Sequence, residues 1–526
     1  MHPLTGPVDP VPGAAARLDV RLVPAALTSW VVTAAGIGWP VGRTCAACCL
    51  MLATGSAALW WHAARRKCPA RLRAIGAALV AIGVVGAGYG LAIALRADAV
   101  GRHPISAAFG TSVPVTVTPS ETALSLGAGR LIFRATIQRL RDGEISGRVV
   151  VFARASEFDE LMAGQPVRFT AHITRPTRRD LTVAVLTAVG RPQTVCAHRA
   201  GAVYRAAHTV RGRFAAAVRE VLPGDQAAMV PALVLGDTSA VSSATGREFR
   251  AAGMTHLTAV SGANVTIVCA AVLFSARLIG LRAAVGLTGG ALTAFVVVVQ
   301  PTASVLRAAV MGAIGLAGML SSRRRQAIPA LSGTVLVLMA TAPQLAVDVG
   351  FALSVVATAG LVVIAPLWSR RLVARGLPKP LADALAVAAA AQVVTAPLIA
   401  AISGRFSLVA VFANLAVAAV IAPITVLGSA AAALAVVWPA GAQLLIRFTG
   451  PEMWWVLRVA HWAAGVPMAT VPVPDGPAGA LVVGGVTVLA VALWRFRWFR
   501  LVTSWALVAA LGCLLAWSLA GLVGPT

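Results

Sequence analysis

A chain of 526 residues that is 58% hydrophobic and only 12% charged, with a mean hydropathy of +0.83, falls well short of the roughly one-quarter charged residues of a soluble domain. A soluble globular protein is excluded, because the apolar residues stand in runs of mostly 15 to 22, close to the length that crosses about 30 Å of hydrocarbon as helix. The formal charge of +26 comes from 44 basic against 18 acidic residues, with Lys67 and Lys379 the only lysines; most of the excess fits the basic surplus of cytoplasmic loops, and the rest fits a polyanion, since guanidinium suits phosphate.

Three apolar runs open the chain, near residues 23–41, 44–63 and 74–95, and residues 1–100 form a first membrane block of about three spans. The first run ends without a cleavage site and is read as a span, not as a signal peptide. Five basic residues between Arg65 and Arg73 place the loop between the second and third runs in the cytoplasm. The third run then delivers residues 112–197 to the outer side. Cys45, Cys48 and Cys49 sit inside the second run, where small polarizable side chains pack between helices; no further Cys or His pair completes a ligand set, so neither metal nor cofactor is expected.

Residues 112–197 change character. Period-2 alternation appears in Arg130 to Leu140, Gly147 to Ala155, Gln165 to Pro176 and Thr182 to Gly190, bounded by Gly, Pro and Asp. Four or five short strands predict a small antiparallel barrel or sandwich, with eleven arginines against seven acids. Residues 198–224 follow as an amphipathic linker helix: Arg205, Arg211, Arg213 and Arg219 alternate with Val210, Phe214 and Val221, as on an interfacial helix or an exposed linker.

From residue 225 to 526 the apolar runs resume. Spans are expected near 257–276, 283–300, 304–320, 328–342, 349–367, 382–402, 407–438 (one long or two short), 451–468, 478–494 and 501–522, about ten to eleven in all. Basic clusters at Arg323 to Arg325, Arg370 to Arg375 and Arg495 to Arg500 mark cytoplasmic edges. The fold class is therefore a polytopic α-helical membrane protein with a small inserted extracytoplasmic β-barrel.

Polar residues inside this second block are costly unless paired or hydrated, so they mark a candidate path or site. They are Asp237, the group His256, Thr258, Ser261 and Asn264, with Gly262 beside them in the candidate path, then Arg307, Asp348 with Ser354, and Asn414. Arg307 lies near one end of its span, where snorkelling to the interface is an alternative to a site role. Asp348 stands at a span entrance, as a helix cap or as the partner of a buried arginine. Asn414 is mid-run, where bonding between helices accounts for it equally well. An intramembrane hydrolase with Ser261 as nucleophile and His256 as base fits poorly. Five residues on one helix turn about 500°, leaving the two some 140° apart around the axis. No enzymatic activity is expected.

Five pieces of this block, in order, are LVLGDTSAV (Leu233 to Val241), THLTAVSGANV (Thr255 to Val265), SVLRAAVM (Ser304 to Met311), DVGFALSV (Asp348 to Val355) and ANLAVAAVIAP (Ala413 to Pro423). Together they resemble the ComEC-type competence proteins, which move single-stranded DNA inward across bacterial membranes. The resemblance covers about residues 225–440 and extends to the front half, where the family has a few spans followed by an OB-type domain on the outer face. It implies a multi-pass protein of the bacterial plasma membrane whose partners are single-stranded DNA and membrane lipid. A DNA receptor, a separate nuclease and a cytoplasmic helicase or ATPase would complete the machinery, and a homo-oligomer is open. Many members carry His at the position of Asn264 and Gln at that of Ala352. Fuller members end in a metallo-β-lactamase-like nuclease domain, whose H-x-H-x-D-H ligand set is not found here, so a short form is expected. The competing reading is a transporter or flippase for an anionic or lipid-linked solute, in which Gly262, Gly312 and Gly350 serve close helix packing.

Overall fold

The computed structural model describes residues 19–66, 69–127, 129–158, 161–194, 201–258, 260–320, 326–494, 496–498, 501 and 505. Helices α1 (Val23–Gly38), α2 (Gly42–Arg65) and α3 (Ala70–Gly101) come first. Glycines let them pack closely: a Cβ on Gly83 would stand 2.7 Å from the Ala53 nitrogen, and one on Gly90 3.0 Å from that of Ala46, so α2 and α3 meet backbone to backbone.

The inserted domain comprises β1 (Ser112–Pro119), β2 (Leu124–Gly127), β3 (Arg130–Leu140), β4 (Gly143–Arg154), β5 (Val167–Thr174) and β6 (Ala184–Thr194). The strand order β1-β5-β6-β4-β3 closes on itself through β1–β3 pairing, and β2 is appended to β3. The β4–β6 pair is parallel and the others antiparallel. This is a closed five-stranded barrel with the connectivity of an OB fold. The period-2 pattern does what it predicts: Val113, Val115 and Val117, then Phe133, Ala135 and Ile137, then Val149 and Val151 all turn inward. Phe133, Phe158 and Phe169 are core residues, with Phe158 in ring contact with the other two, and Phe152 is half-buried. β1 alternates in the same way, but Pro114 and Pro119 within it keep the sequence from marking it as a strand.

The second block holds α4 (Ala202–Val221), α5 (Gly224–Leu235), α6 (Ser243–Ala251), α7 (Gly262–Ala276), α8 (Leu281–Val299), α9 (Ala303–Leu320), α10 (Ala327–Thr341), α11 (Val349–Val363), α12 (Ala365–Val373) and α13 (Lys379–Ser403). It continues with β7 (Arg405–Ser407), α14 (Ala410–Leu434), α15 (Pro439–Gly465), β8 (Thr470–Pro472) and α16 (Gly476–Leu493). Nine helical stretches among the described residues are long and apolar enough to cross a membrane, and α1 and α10 are shorter apolar helices. The ambiguous run 407–438 is the single helix α14. The run read at 451–468 belongs to α15, which begins twelve residues earlier. The last expected span and the cluster Arg323 to Arg325 lie outside the described residues, apart from Leu501 and Trp505.

Two cores organise the helices. The larger joins α4, α5, α14 and α15 with parts of α7, α8 and α9; the second joins α1, α3, α10 and α11. The amphipathic stretch forms α4, whose apolar side, with Phe214 and Val218 fully buried, is a face of the larger core. The barrel is tied to the helices by the loops before β2 and β6. Gln300, just past α8, accepts a bond from Thr122 N at 2.8 Å and donates to Thr122 Oγ1 at 2.7 Å. Arg179 Nη1 donates to the Gly38 carbonyl at 2.7 Å.

Candidate functional site

The site is built where α7 begins. Ser261 precedes the first turn, and the helix N-terminus leaves backbone N–H groups in need of acceptors. The Ser261 hydroxyl donates to Asn264 Oδ1 at 3.1 Å, while the Gly262 N–H is taken by Ser304 Oγ of α9, also at 3.1 Å. Asn264, 4% exposed, sends Nδ2 to the Leu233 carbonyl at 2.8 Å, at the C-terminal end of α5 where helical carbonyls lack partners. One asparagine thus fastens the start of α7 to the end of α5.

Gly262 also makes room for Arg307. A Cβ there would overlap Arg307 Nη2, so the absence of a side chain lets the guanidinium lie against the α7 backbone. Arg307 is 7% exposed. Its Nε donates to Ser354 Oγ of α11 at 2.6 Å and its Nη1 to Met311 Sδ at 3.8 Å. Ser304 and Ser354 are 3.2 Å apart through their hydroxyls. No described acid pairs with Arg307. A nearly buried cation held by a hydroxyl and a thioether carries its desolvation cost largely uncompensated.

Ser261, Gly262, Asn264, Arg307 and Ser354, singled out in three separate motifs, therefore share one cluster, and snorkelling does not describe Arg307. The other predicted residues go elsewhere. Asp237 stands 3.9 Å from Arg211 of α4 and accepts from Ser239 Oγ at 2.7 Å. Asp348 caps α11, accepting from Phe351 N at 2.8 Å, and does not pair with a described arginine. Asn414 donates to Ala410 O at 2.8 Å and to Gly253 O at 3.3 Å. His256 stands on an exposed turn after α6, and among the described residues its ring makes no hydrogen bond to Ser261. Among the described residues the Ser261 hydroxyl has Asn264 as its hydrogen-bond acceptor.

Two contributors were not among the predicted site residues. Arg211 is partly buried, its side chain 11% exposed, and its Nη1 donates to Leu235 O at 2.8 Å and Val298 O at 3.2 Å, joining the ends of α5 and α8. Gln300 carries φ +74°, a strained angle for a non-glycine residue, at the turn from α8 to α9 that faces the barrel loop. Only its place shortly before Arg307 hints at its part.

These features define a class: a multi-pass helical membrane protein with a docked OB-type barrel and a polar, cationic cluster packed inside its helices. A family model described as "Competence protein" matches residues 233–498, just over half of the chain. The chain belongs to that family, and its role lies in DNA uptake during competence. No curated protein and no solved structure gives a significant match.

Proposed function

We propose that the chain conducts single-stranded DNA inward across the bacterial plasma membrane through the helical block, with the barrel on the outer face. The observation that carries this reading is Arg307, a guanidinium packed among helices with hydroxyls around it and no described acid to neutralise it. A polyanion in transit needs a hydrated path with cationic and polar lining. The Ser261, Ser304 and Ser354 hydroxyls with Arg307 supply such groups at the meeting of α7, α9 and α11. OB folds take ligands through the loops between strands one and two and between strands four and five. Here those are the loops that carry Thr122 and Arg179, both bonded to the helical block, so a strand leaving the barrel's ligand face is handed to the helices. Contact with that face is by arginine more than by stacking, since Phe133, Phe158 and Phe169 are interior. A receptor, a nuclease and an ATP-driven motor are separate proteins in this scheme.

The test is deletion of the gene in a competent host, followed by uptake of labelled transforming DNA. Complementation uses wild type, Arg307→Ala and Asn264→Ala. Loss of internal DNA with surface binding intact, restored by wild type and not by Arg307→Ala, is the expected result. Undiminished uptake in the deletion strain refutes the channel.

A further inference from the structure

Between α1, α3 and α10 lies a cavity of about 380 Å³ that shares no lining residue with the Arg307 cluster. Its floor is the face of α3 that carries Val84, Val85, Gly88 and Ala92, with Met339 of α10 opposite and Arg96 at one end. The space follows from how α3 spends its glycines. Gly83 and Gly90 close on α2, whereas a Cβ on Gly88 would meet nothing within 4 Å. Two bonds meanwhile hold α10 at a set distance from α3: Tyr89 Oη donates to Leu336 O at 2.7 Å, and Arg96 Nη2 to Ala340 O at 3.0 Å. The groove between them stays open because its two struts are hydrogen bonds to backbone.

Its dimensions and chemistry describe an occupant. From Val84 to Arg96 the groove follows three turns of helix, about 18 Å at ~1.5 Å per residue, a little more than one leaflet of a ~30 Å hydrocarbon core. Along that length the wall is apolar, and its two hydroxyls are already committed, Thr33 to Ser29 O and Tyr89 to Leu336 O. At the end, Arg96 is exposed, and its Nε and Nη1 have no acceptor among the described residues. The nearest acid in sequence, Asp98, is engaged by Arg43. A guanidinium with a free edge above an apolar slot one leaflet deep matches a phosphodiester above an acyl chain.

We propose that this groove is a binding site for one phospholipid of the surrounding bilayer, with one acyl chain laid along Gly88 and Ala92 and the phosphate on Arg96. The lipid fills the seam between the first helical block and α10, a seam independent of the DNA path.

The experiment is native mass spectrometry of the full-length protein, delipidated in detergent and titrated with dioleoylphosphatidylglycerol or, as a phosphate-free probe, dioleoylglycerol. Wild type is expected to hold one phosphatidylglycerol through activation energies that strip the rest. Gly88→Leu, which fills the slot, loses it, while Gly55→Leu on α2, a glycine equally open to its surroundings, retains it. Arg96→Ala weakens binding of phosphatidylglycerol about tenfold and leaves dioleoylglycerol unchanged. Melting temperature confirms that each variant is folded. Equal retention in Gly88→Leu and wild type, or no retained lipid in wild type, overturns the site; an unchanged affinity in Arg96→Ala overturns the phosphate assignment.

Discussion

Replacing Gly262 by alanine isolates the contact on which the polar cluster depends. The new methyl group would overlap Arg307 Nη2 and stand 3.3 Å from Ala308 Cβ, so the guanidinium must move. Moving it stretches or breaks the 2.6 Å bond from Nε to Ser354 Oγ. A hydrogen bond from a charged group is worth about 1.5–3 kcal/mol when its loss leaves the charge buried. Alanine recovers up to ~1 kcal/mol of helix propensity over glycine, less in a first turn. The balance is a destabilisation of about 1–2 kcal/mol. In an Arg307→Ala background the overlap is gone, and the same substitution becomes neutral or mildly favourable. Equilibrium unfolding of the four proteins in mixed micelles measures the difference, with a coupling energy of about 1.5–3 kcal/mol expected. Additivity of the two substitutions within ~0.5 kcal/mol would refute the packing of Arg307 against α7.

Other consequences are open to measurement. Ser354→Ala removes the acceptor of Arg307 and the partner of Ser304, and should cost about 1.5–3 kcal/mol in the same unfolding assay, with Ser354→Thr recovering most of it. Arg211→Ala orphans two helix-terminal carbonyls and should destabilise by about 2–4 kcal/mol, while Asp237→Ala, whose carboxylate is 3.9 Å from that arginine, costs under ~1 kcal/mol; equal losses would contradict the carbonyl-centred role of Arg211. Gln300→Leu severs both bonds to Thr122, so amide exchange near Thr122 should rise while exchange in the centre of β4 is unchanged. Phe214→Ala, in the buried face of α4, should cost about 3–5 kcal/mol, a loss that a solvent-exposed linker helix would not show.

Much of this architecture was legible in the residues because its signals are local. A 20-residue apolar run or a Phe–Thr–Ala–His–Ile alternation reports on its own segment, and β3 to β6 and the long helices followed from that alone. β1 did not, since its prolines argue against a strand unless the segment is seen seated between β3 and β5. α4 was legible as an amphipathic helix, but amphipathicity does not say whether the apolar side meets lipid, water-covered protein or core. In the site, Arg307 and Asn264 stood out because polar groups are rare in their runs. Arg211 did not, being one of four arginines on a single helix. The Gln300–Thr122 clasp joins residues 178 positions apart, and no periodicity registers a contact at that range.

The closure of the barrel also dictates an order of assembly. Every strand of the closed sheet lies between residues 112 and 194, and the last in the chain, β6, slots between β4 and β5. Once residue 194 has emerged, the domain holds all its own hydrogen-bonding partners and can finish folding as a unit while the helices from α5 onward are still being synthesised. Of its two ties to the helices, Gly38 is already present when Arg179 emerges, whereas Gln300 arrives more than a hundred residues after β6. A completed barrel can therefore meet an incomplete membrane block, and the Gln300–Thr122 clasp is a late, separable event that a stalled nascent chain ending before residue 300 would capture undone.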